Sequence, residues 1–163
     1  MSAPSRPQAA CADVLIEPCT QLEQPGWQAL RAALWPDGSA AEHLAEMGEF
    51  LAQPGRYVQF VAYDMSRRPV GLAEAALRHD YVNGTQGSPV AFLEGLYVVP
   101  DRRRLGVARR LVGAVQAWAC ALGCRELASD AALDNAASHA VHRALGFEET
   151  ERVVYFCKTL NGA

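Results

Sequence analysis

The stretch from Val90 to Leu122 constrains the fold more than any other part of the chain. Val90 to Val99 is an apolar run with the character of a β-strand, and Pro100 ends it. Val107, Leu111, Val115, Trp118 and Leu122 then recur at helical spacing and outline an amphipathic helix that stops before Gly123. Between strand and helix lies Arg103-Arg104-Leu105-Gly106-Val107-Ala108. The first N–H groups of a helix lack intrahelical partners and carry partial positive charge. Gly106 lets a ligand come close to that backbone, and Ala108 stays small one step further on. A turn of this kind, with arginines around it, is a cradle for a pyrophosphate. Neither the P-loop G-x-x-x-x-G-K-[ST] nor the dinucleotide fingerprint G-x-G-x-x-G is present. A solvated basic helix start is the alternative, and the strand-turn-helix context argues against it.

Charge sharpens this reading. The chain of 163 residues carries 15 basic and 18 acidic side chains, a net charge of −3, which argues against a general nucleic-acid binder. Lys158 is the one lysine, and five arginines fall between Arg102 and Arg110. Half the residues are hydrophobic, enough for a core, and the length fits one domain. We expect a short flexible extension over residues 1–12 and a single domain over 13–163. The extension has no basic segment followed by an apolar stretch, so it does not read as a secretory signal, and no apolar run is long enough to span a membrane. Cys11, Cys19, Cys120, Cys124 and Cys157 are odd in number and irregular in spacing, a poor disulfide framework. Cys120 and Cys124 would share a helix face, without histidines at zinc spacing around them. Small buried hydrophobes in a reducing, cytoplasmic setting are expected.

The remaining elements follow from periodicity and punctuation. Val14 to Glu17 reads as an opening strand. Trp27, Leu30, Ala33 and Leu34 form a first helix that closes near Trp35-Pro36. Ser39 and Glu42 have capping-box spacing before a second helix through Leu44, Met47, Phe50 and Leu51. Tyr57–Tyr63 and Val70–Leu77 read as an antiparallel pair, followed by a longer loop at Asn83-Gly84 and Gly87-Ser88-Pro89. After the arginine helix, Arg125 to Ser129 forms a strand. Asp134 or Asn135 caps a helix ending at Leu145-Gly146, and Phe147 to Leu160 closes the chain as a strand. The order gives a mixed sheet with helices on its faces.

Arg103-x-x-Gly106-x-Ala108 resembles the acetyl-CoA-binding motif of the GNAT N-acetyltransferases, and Asn135-x-x-Ser138 with Leu145-Gly146-Phe147 resembles the helix that follows in that family. Further segments are similar to the aminoglycoside 6′-N-acetyltransferases: Phe92 to Val98, Ala128 to Asn135, Glu149 to Phe156, Tyr81-Val82-Asn83-Gly84 and Leu34-Trp35-Pro36. The resemblance implies an α/β (α+β) acyl-CoA N-acyltransferase fold, a mixed and mostly antiparallel sheet with a central splay, flanked by about four helices. It implies that the pantetheine of acetyl-CoA lies in the splay against backbone groups of Leu96, Tyr97 and Val98, one of whose N–H groups polarises the thioester carbonyl. Glu94-Gly95 would sit at the bulge that opens the gap. Arg103, Arg104, Leu105, Gly106, Val107, Ala108 and Arg109 would bind the pyrophosphate. Asn135 would bond the cofactor arm, or serve only as a helix cap. Where many GNAT enzymes carry a tyrosine near the thiolate, this chain has His142, which is open to an acid role or to a cofactor or packing contact.

An aminoglycoside is a polycation, so its cleft calls for carboxylates and for aromatic rings against sugar faces. By resemblance these are Glu94, Asp130 and Glu151 with Trp35 and Tyr81. Glu94 sits in an apolar strand, where a carboxylate is costly without a task. Asp134 is a further candidate, and Glu74 either faces the site or points to solvent. Glu94 and Asp130 are the candidates for accepting the proton of the attacking 6′-amine; neither a metal nor a cysteine nucleophile is required. The resemblance also implies a homodimer, in which Glu151 reaches the partner's site. Acetylation of another polyamine or of a peptide amine, and a non-catalytic acyl-CoA sensor, remain as alternatives.

Overall fold

The structure is a computed structural model and describes residues 13–160. The extension expected over residues 1–12 lies outside the described residues. By its contacts the chain parts into two units, one up to Asp130 and one from Ala131 onward.

In the first unit, β1 (Val14–Pro18), β2 (Tyr57–Asp64), β3 (Pro69–Arg78), β4 (Val90–Val98) and β5 (Leu127–Ser129) form one sheet in sequence order. The first three pairings are antiparallel and β4–β5 is parallel. The helices α1 (Trp27–Leu34), α2 (Ala40–Ala52) and α3 (Val107–Ala121) complete this unit. Alternation along β3 assigns the two faces of the sheet. Leu72 packs with Trp27, Leu30, Met47, Val61 and Tyr63 on the side of α1 and α2. On the other side a Cβ at Gly71 would lie 2.9 Å from Leu111 and 3.1 Å from Val107, both on α3. Gly71 therefore lets α3 approach the sheet closely, and α3 buries Val107, Leu111, Val112, Val115 and Ala119.

The expected capping box is present at α2: the Ser39 hydroxyl accepts from the Glu42 N–H, and the Glu42 carboxylate accepts from the Ser39 N–H. Under α1 lies a buried ion pair. Glu74, on the α1 face of β3, accepts from Trp27 Nε1 at 2.7 Å and from Arg31 Nη1 at 2.5 Å, and both Glu74 and Arg31 are buried. Glu74 is thus neither solvent-facing, as its place on a strand allowed, nor open to a ligand. Burial pushes its carboxyl up from its ordinary value, and the Arg31 guanidinium and the Trp27 N–H pull against that shift. Removing one member of such a pair strands a buried charge, at a cost of about 3–5 kcal/mol.

The cysteines depart from expectation. Cys19 and Cys124 are buried, whereas Cys120 and Cys157 are exposed. Cys124 lies past the end of α3, so it shares no helix face with Cys120. No cluster of three or more possible metal ligands occurs among the described residues. No helix among them is long and apolar enough to cross a membrane.

The second unit holds α4 (Ala136–Ala144), capped by Asn135, whose Oδ1 accepts from the Ser138 N–H at 3.0 Å. The strand expected from Phe147 to Leu160 does not form: residues 147–160 have neither helix nor strand assigned. Val154, Tyr155 and Phe156 are 75%, 81% and 94% exposed. A strand needs a neighbour for its backbone N–H and C=O groups, and alternation alone does not provide one.

Candidate active site

The site begins where β4 leaves β5. In the parallel pairing Ala91, Phe92 and Leu93 match Leu127, Ala128 and Ser129, and there the ladder stops. From Glu94 to Val98, β4 has no strand on that side among the described residues. The antiparallel register with β3 explains the parting. Glu74 pairs with Gly95 and Ala75 with Leu93, so Glu94 is an extra residue, a bulge that bends the strand. The gap leaves the backbone of Leu96, Tyr97 and Val98 beside an open flank, where a linear chain can lie along the strand.

At the far end of that flank the chain turns through a short 3-10 helix (Pro100–Arg102) into α3. Arg104 has φ 62° and Gly106 has φ 86°, both left-handed. Gly106 is the residue before α3 and caps it without a side chain, so the first-turn N–H groups of the helix face outward uncovered by a cap. Arg103, Arg104 and Arg109 are exposed around it, with Leu105 half-exposed, while Val107 is buried beneath. This arrangement fits a pyrophosphate followed by an extended arm.

The arginines of the run differ in what they do. Arg103 Nε donates to the Val98 carbonyl at 2.8 Å, with its guanidinium 5.7 Å from the Tyr97 ring centroid. Arg102 Nη2 donates to Asp64 Oδ2 at 2.8 Å. Asp64, at the end of β2, also accepts from the Ser66 hydroxyl at 2.7 Å and from the Ser66 and Arg68 N–H groups. Arg68 in turn forms a forked pair with Asp101 at 2.7 and 3.0 Å. The β2–β3 turn is thereby fastened to the arginine turn. The Ser66 hydroxyl, then the backbone N–H groups and the Arg102 charge, hold the Asp64 carboxyl below its ordinary value.

At the bulge the structure sets Trp35 against Gly95, next to Glu94. Glu94 and Asp130 each follow a member of the last β4–β5 pair, Leu93 and Ser129, and so flank the mouth of the gap. Glu94 is not buried in an apolar strand. As the bulge residue it points outward, its side chain 37% exposed, and it accepts from Arg78 Nη2 at 2.7 Å. The cost argument made for it from sequence therefore does not hold. Arg78 lies over the Phe92 ring, 3.7 Å from its centroid. Trp35, just past α1, fills the place of a side chain at Gly95: a Cβ there would lie 2.5 and 2.7 Å from its ring. Tyr81 is 77% exposed on the β3–β4 loop. That loop is fastened by Glu126, whose carboxylate accepts from the Gln86 and Gly87 N–H groups at 2.7–3.0 Å.

A model of the acetyltransferase (GNAT) family matches residues 22–147. The chain belongs to this family. It is 54% identical over 143 residues to an aminoglycoside N(6′)-acetyltransferase type 1 from Acinetobacter genomosp. 13, covering 88% of this chain and 97% of the relative. The crystal structure of the aminoglycoside 6′-N-acetyltransferase AAC(6′)-Ih from Acinetobacter baumannii superposes with a TM-score of 0.85 at 49% identity, over 91% of this chain and 99% of that one. AAC(6′)-Iy, solved with the bisubstrate analogue CoA-S-monomethyl-acetylneamine, gives a TM-score of 0.85 at 44% identity, over 91% of this chain and all of that one (100%). The five-stranded sheet, its parting strands and the four helices are thus a GNAT fold, as the motif implied.

In this GNAT chain the second unit carries Asn135, His142 and Glu151. Asn135, rather than Asp134, caps α4, and its Oδ1 is committed to that bond. His142 Nδ1 lies 2.8 Å from the Ser138 carbonyl, and its ring meets Phe147 edge-on at 5.2 Å. Nδ1 also lies 3.2 Å from the Ser138 hydroxyl, so Ser138 offers it both a carbonyl acceptor and a hydroxyl that can donate. Glu151 is exposed. Arg31, Asp64, Arg78 and Glu126 were not singled out from the sequence. Each has a partner 15 to 43 residues away that the fold brings close, and no spacing marks such partners.

Asp64→Asn is expected to loosen the arginine turn. Because the folded carboxyl titrates below its ordinary value, its contribution to stability is full above the usual carboxylate range and is lost as pH falls through the folded value. Thermal melts of wild type and variant are expected to differ at neutral pH and to converge as pH falls below the folded value of the Asp64 carboxyl. Equal melting temperatures at neutral pH would show that the Asp64 contacts add nothing to the turn.

Proposed function

We infer that this protein transfers the acetyl group of acetyl-CoA to the 6′-amine of aminoglycosides and so confers resistance to those antibiotics. The observation that carries the reading is a strand opened by a bulge, with an uncapped helix start among arginines at one end of the opening and carboxylates at the other. The names of the relatives, at about half identity over almost their whole length, support the same substrate class.

Each residue group has a task in this reading. The α3 N-terminus and the exposed Arg103, Arg104 and Arg109 bind the pyrophosphate of acetyl-CoA. Gly106 and Ala108 keep the approach clear, with Leu105 and Val107 holding the turn. Backbone groups of Leu96, Tyr97 and Val98 align the pantetheine, and one N–H stabilises the oxyanion as the thioester carbonyl is attacked. Asn135 contributes its amide to the cofactor arm.

Trp35, Tyr81, Glu94, Asp130 and Glu151 receive the cationic sugar. The 6′-ammonium first gives a proton to Glu94 or Asp130, directly or through water. The free amine nitrogen then attacks the carbonyl carbon, the C–S bond breaks and the thiolate leaves. A second proton leaves the nitrogen as the amide forms. A thiolate with pKa near ~8.5 needs little help to leave, and His142 is the candidate for giving it a proton. No step calls on a metal.

The protein works as a homodimer in the cytoplasm. Support for the dimer is the exposed run Val153, Val154, Tyr155 and Phe156, which alternates like a strand, together with β5, an edge strand of the sheet. In the dimer Glu151 reaches the partner's site.

Three outcomes are expected. Acetyl-CoA turnover occurs with a kanamycin-type sugar bearing a 6′-amine and not with its 6′-hydroxyl counterpart; equal rates, or none with either, contradict the reading. Asp130→Asn raises the sugar KM or lowers kcat tenfold or more, about 1.4 kcal/mol, and unchanged kinetics remove Asp130 from the site. Sedimentation equilibrium gives twice the mass of the 17.6 kDa chain, whereas a monomer at micromolar concentration refutes the dimer.

A further inference from the structure

The Arg31–Glu74 pair is more than the fold needs. An apolar side chain of similar volume would fill the same space under α1, and buried charges are retained at a cost in desolvation. Arg31 is 2% exposed, so it does not meet a ligand. Its guanidinium is instead held at both ends, Nη1 on Glu74 and Nη2 on Glu46 of α2. Its faces meet rings: the Trp35 centroid lies 4.9 Å from Cζ and that of Phe50 5.2 Å. Two carboxylates fix the direction of the guanidinium fork, and the stacked contact passes that constraint to the indole.

Trp35 is then wedged from two sides. Arg31 lies against its ring, and its far edge occupies the place of a Gly95 side chain. Gly95 neighbours the bulge residue Glu94 and pairs with Glu74. One chain of contacts therefore runs from Glu74 through Arg31 and Trp35 back to the strand position opposite Glu74. We propose that Arg31 is a positioning residue for the sugar substrate, setting the plane of Trp35 over Gly95 and hence the shape of the surface beside Glu94 on which a sugar ring rests. The inference deepens the functional reading above and rests on it.

Kinetics with kanamycin and acetyl-CoA on the full chain test it. Arg31→Lys keeps the charge and loses the planar fork. It is expected to raise the kanamycin KM about fivefold while leaving kcat and the acetyl-CoA KM within about twofold. Trp35→Ala is expected to raise the kanamycin KM as well, and the double variant to be no worse than Trp35→Ala alone, because Arg31 acts through the ring. A general loss of structure would instead move kcat and both KM values together. The proposal is overturned by a wild-type kanamycin KM in folded Arg31→Lys or in Trp35→Ala, or by effects that multiply in the double variant. If Arg31→Lys does not fold, Glu46→Gln at a half-exposed position reads the same contact; about a twofold rise in kanamycin KM is expected, and no change there overturns the proposal. Wild-type protein that does not turn over kanamycin defeats the functional reading and this inference with it.

Discussion

The structure turns on the parting of two parallel strands. A ladder of three residue pairs holds β4 to β5, and the extra residue at Glu94 ends it. Among the described residues no strand covers that side of the second half of β4, and the Val98 carbonyl takes Arg103 instead. Unpaired peptide groups near a protein surface seek partners, and a ligand with amide groups of its own can supply them. The bulge also rotates a carboxylate out of the core. One inserted residue thus makes both the channel and the first acidic group at its mouth.

Charge is distributed around that opening with little left to chance. Each end pairs its charges: Asp64 and Asp101 meet Arg102 and Arg68 at the basic turn, and Arg78 meets Glu94 at the mouth of the gap. Within the basic end the labour is divided. Arg102 is bound to Asp64, and Arg103 reaches back to the end of β4, while the backbone of the helix start supplies positive potential that needs no side chain. The buried pair under α1 shows the same economy in reverse: charge is used there where no solvent or ligand meets it, to hold an aromatic ring.

Most of the fold was legible in the sequence because its signals are local. The periodicity of Val107, Leu111 and Val115 marks α3 and Ser39 with Glu42 marks the start of α2, while the bulge at Glu94-Gly95 was implied by the family resemblance. The closing strand was not legible, because alternation at Val153 to Phe156 states a preference that only a neighbouring strand can realise. The candidate site divided along the same line. Gly106, the arginines and Glu94 stand in motifs. Arg31, Asp64 and Glu126 owe their roles to partners brought close by the sheet, and Glu74 read as an ordinary strand position until α1 covered it. The misreading of Glu94 as a buried charge came from treating β4 as regular at the one place where it is not.

Glu126 and Asp130 bracket β5, a strand of only three residues. The first grips the backbone of the loop that carries Tyr81, and the second stands at the mouth of the gap. Three residues therefore separate the carboxylate that holds the Tyr81 loop from the carboxylate at the mouth of the gap.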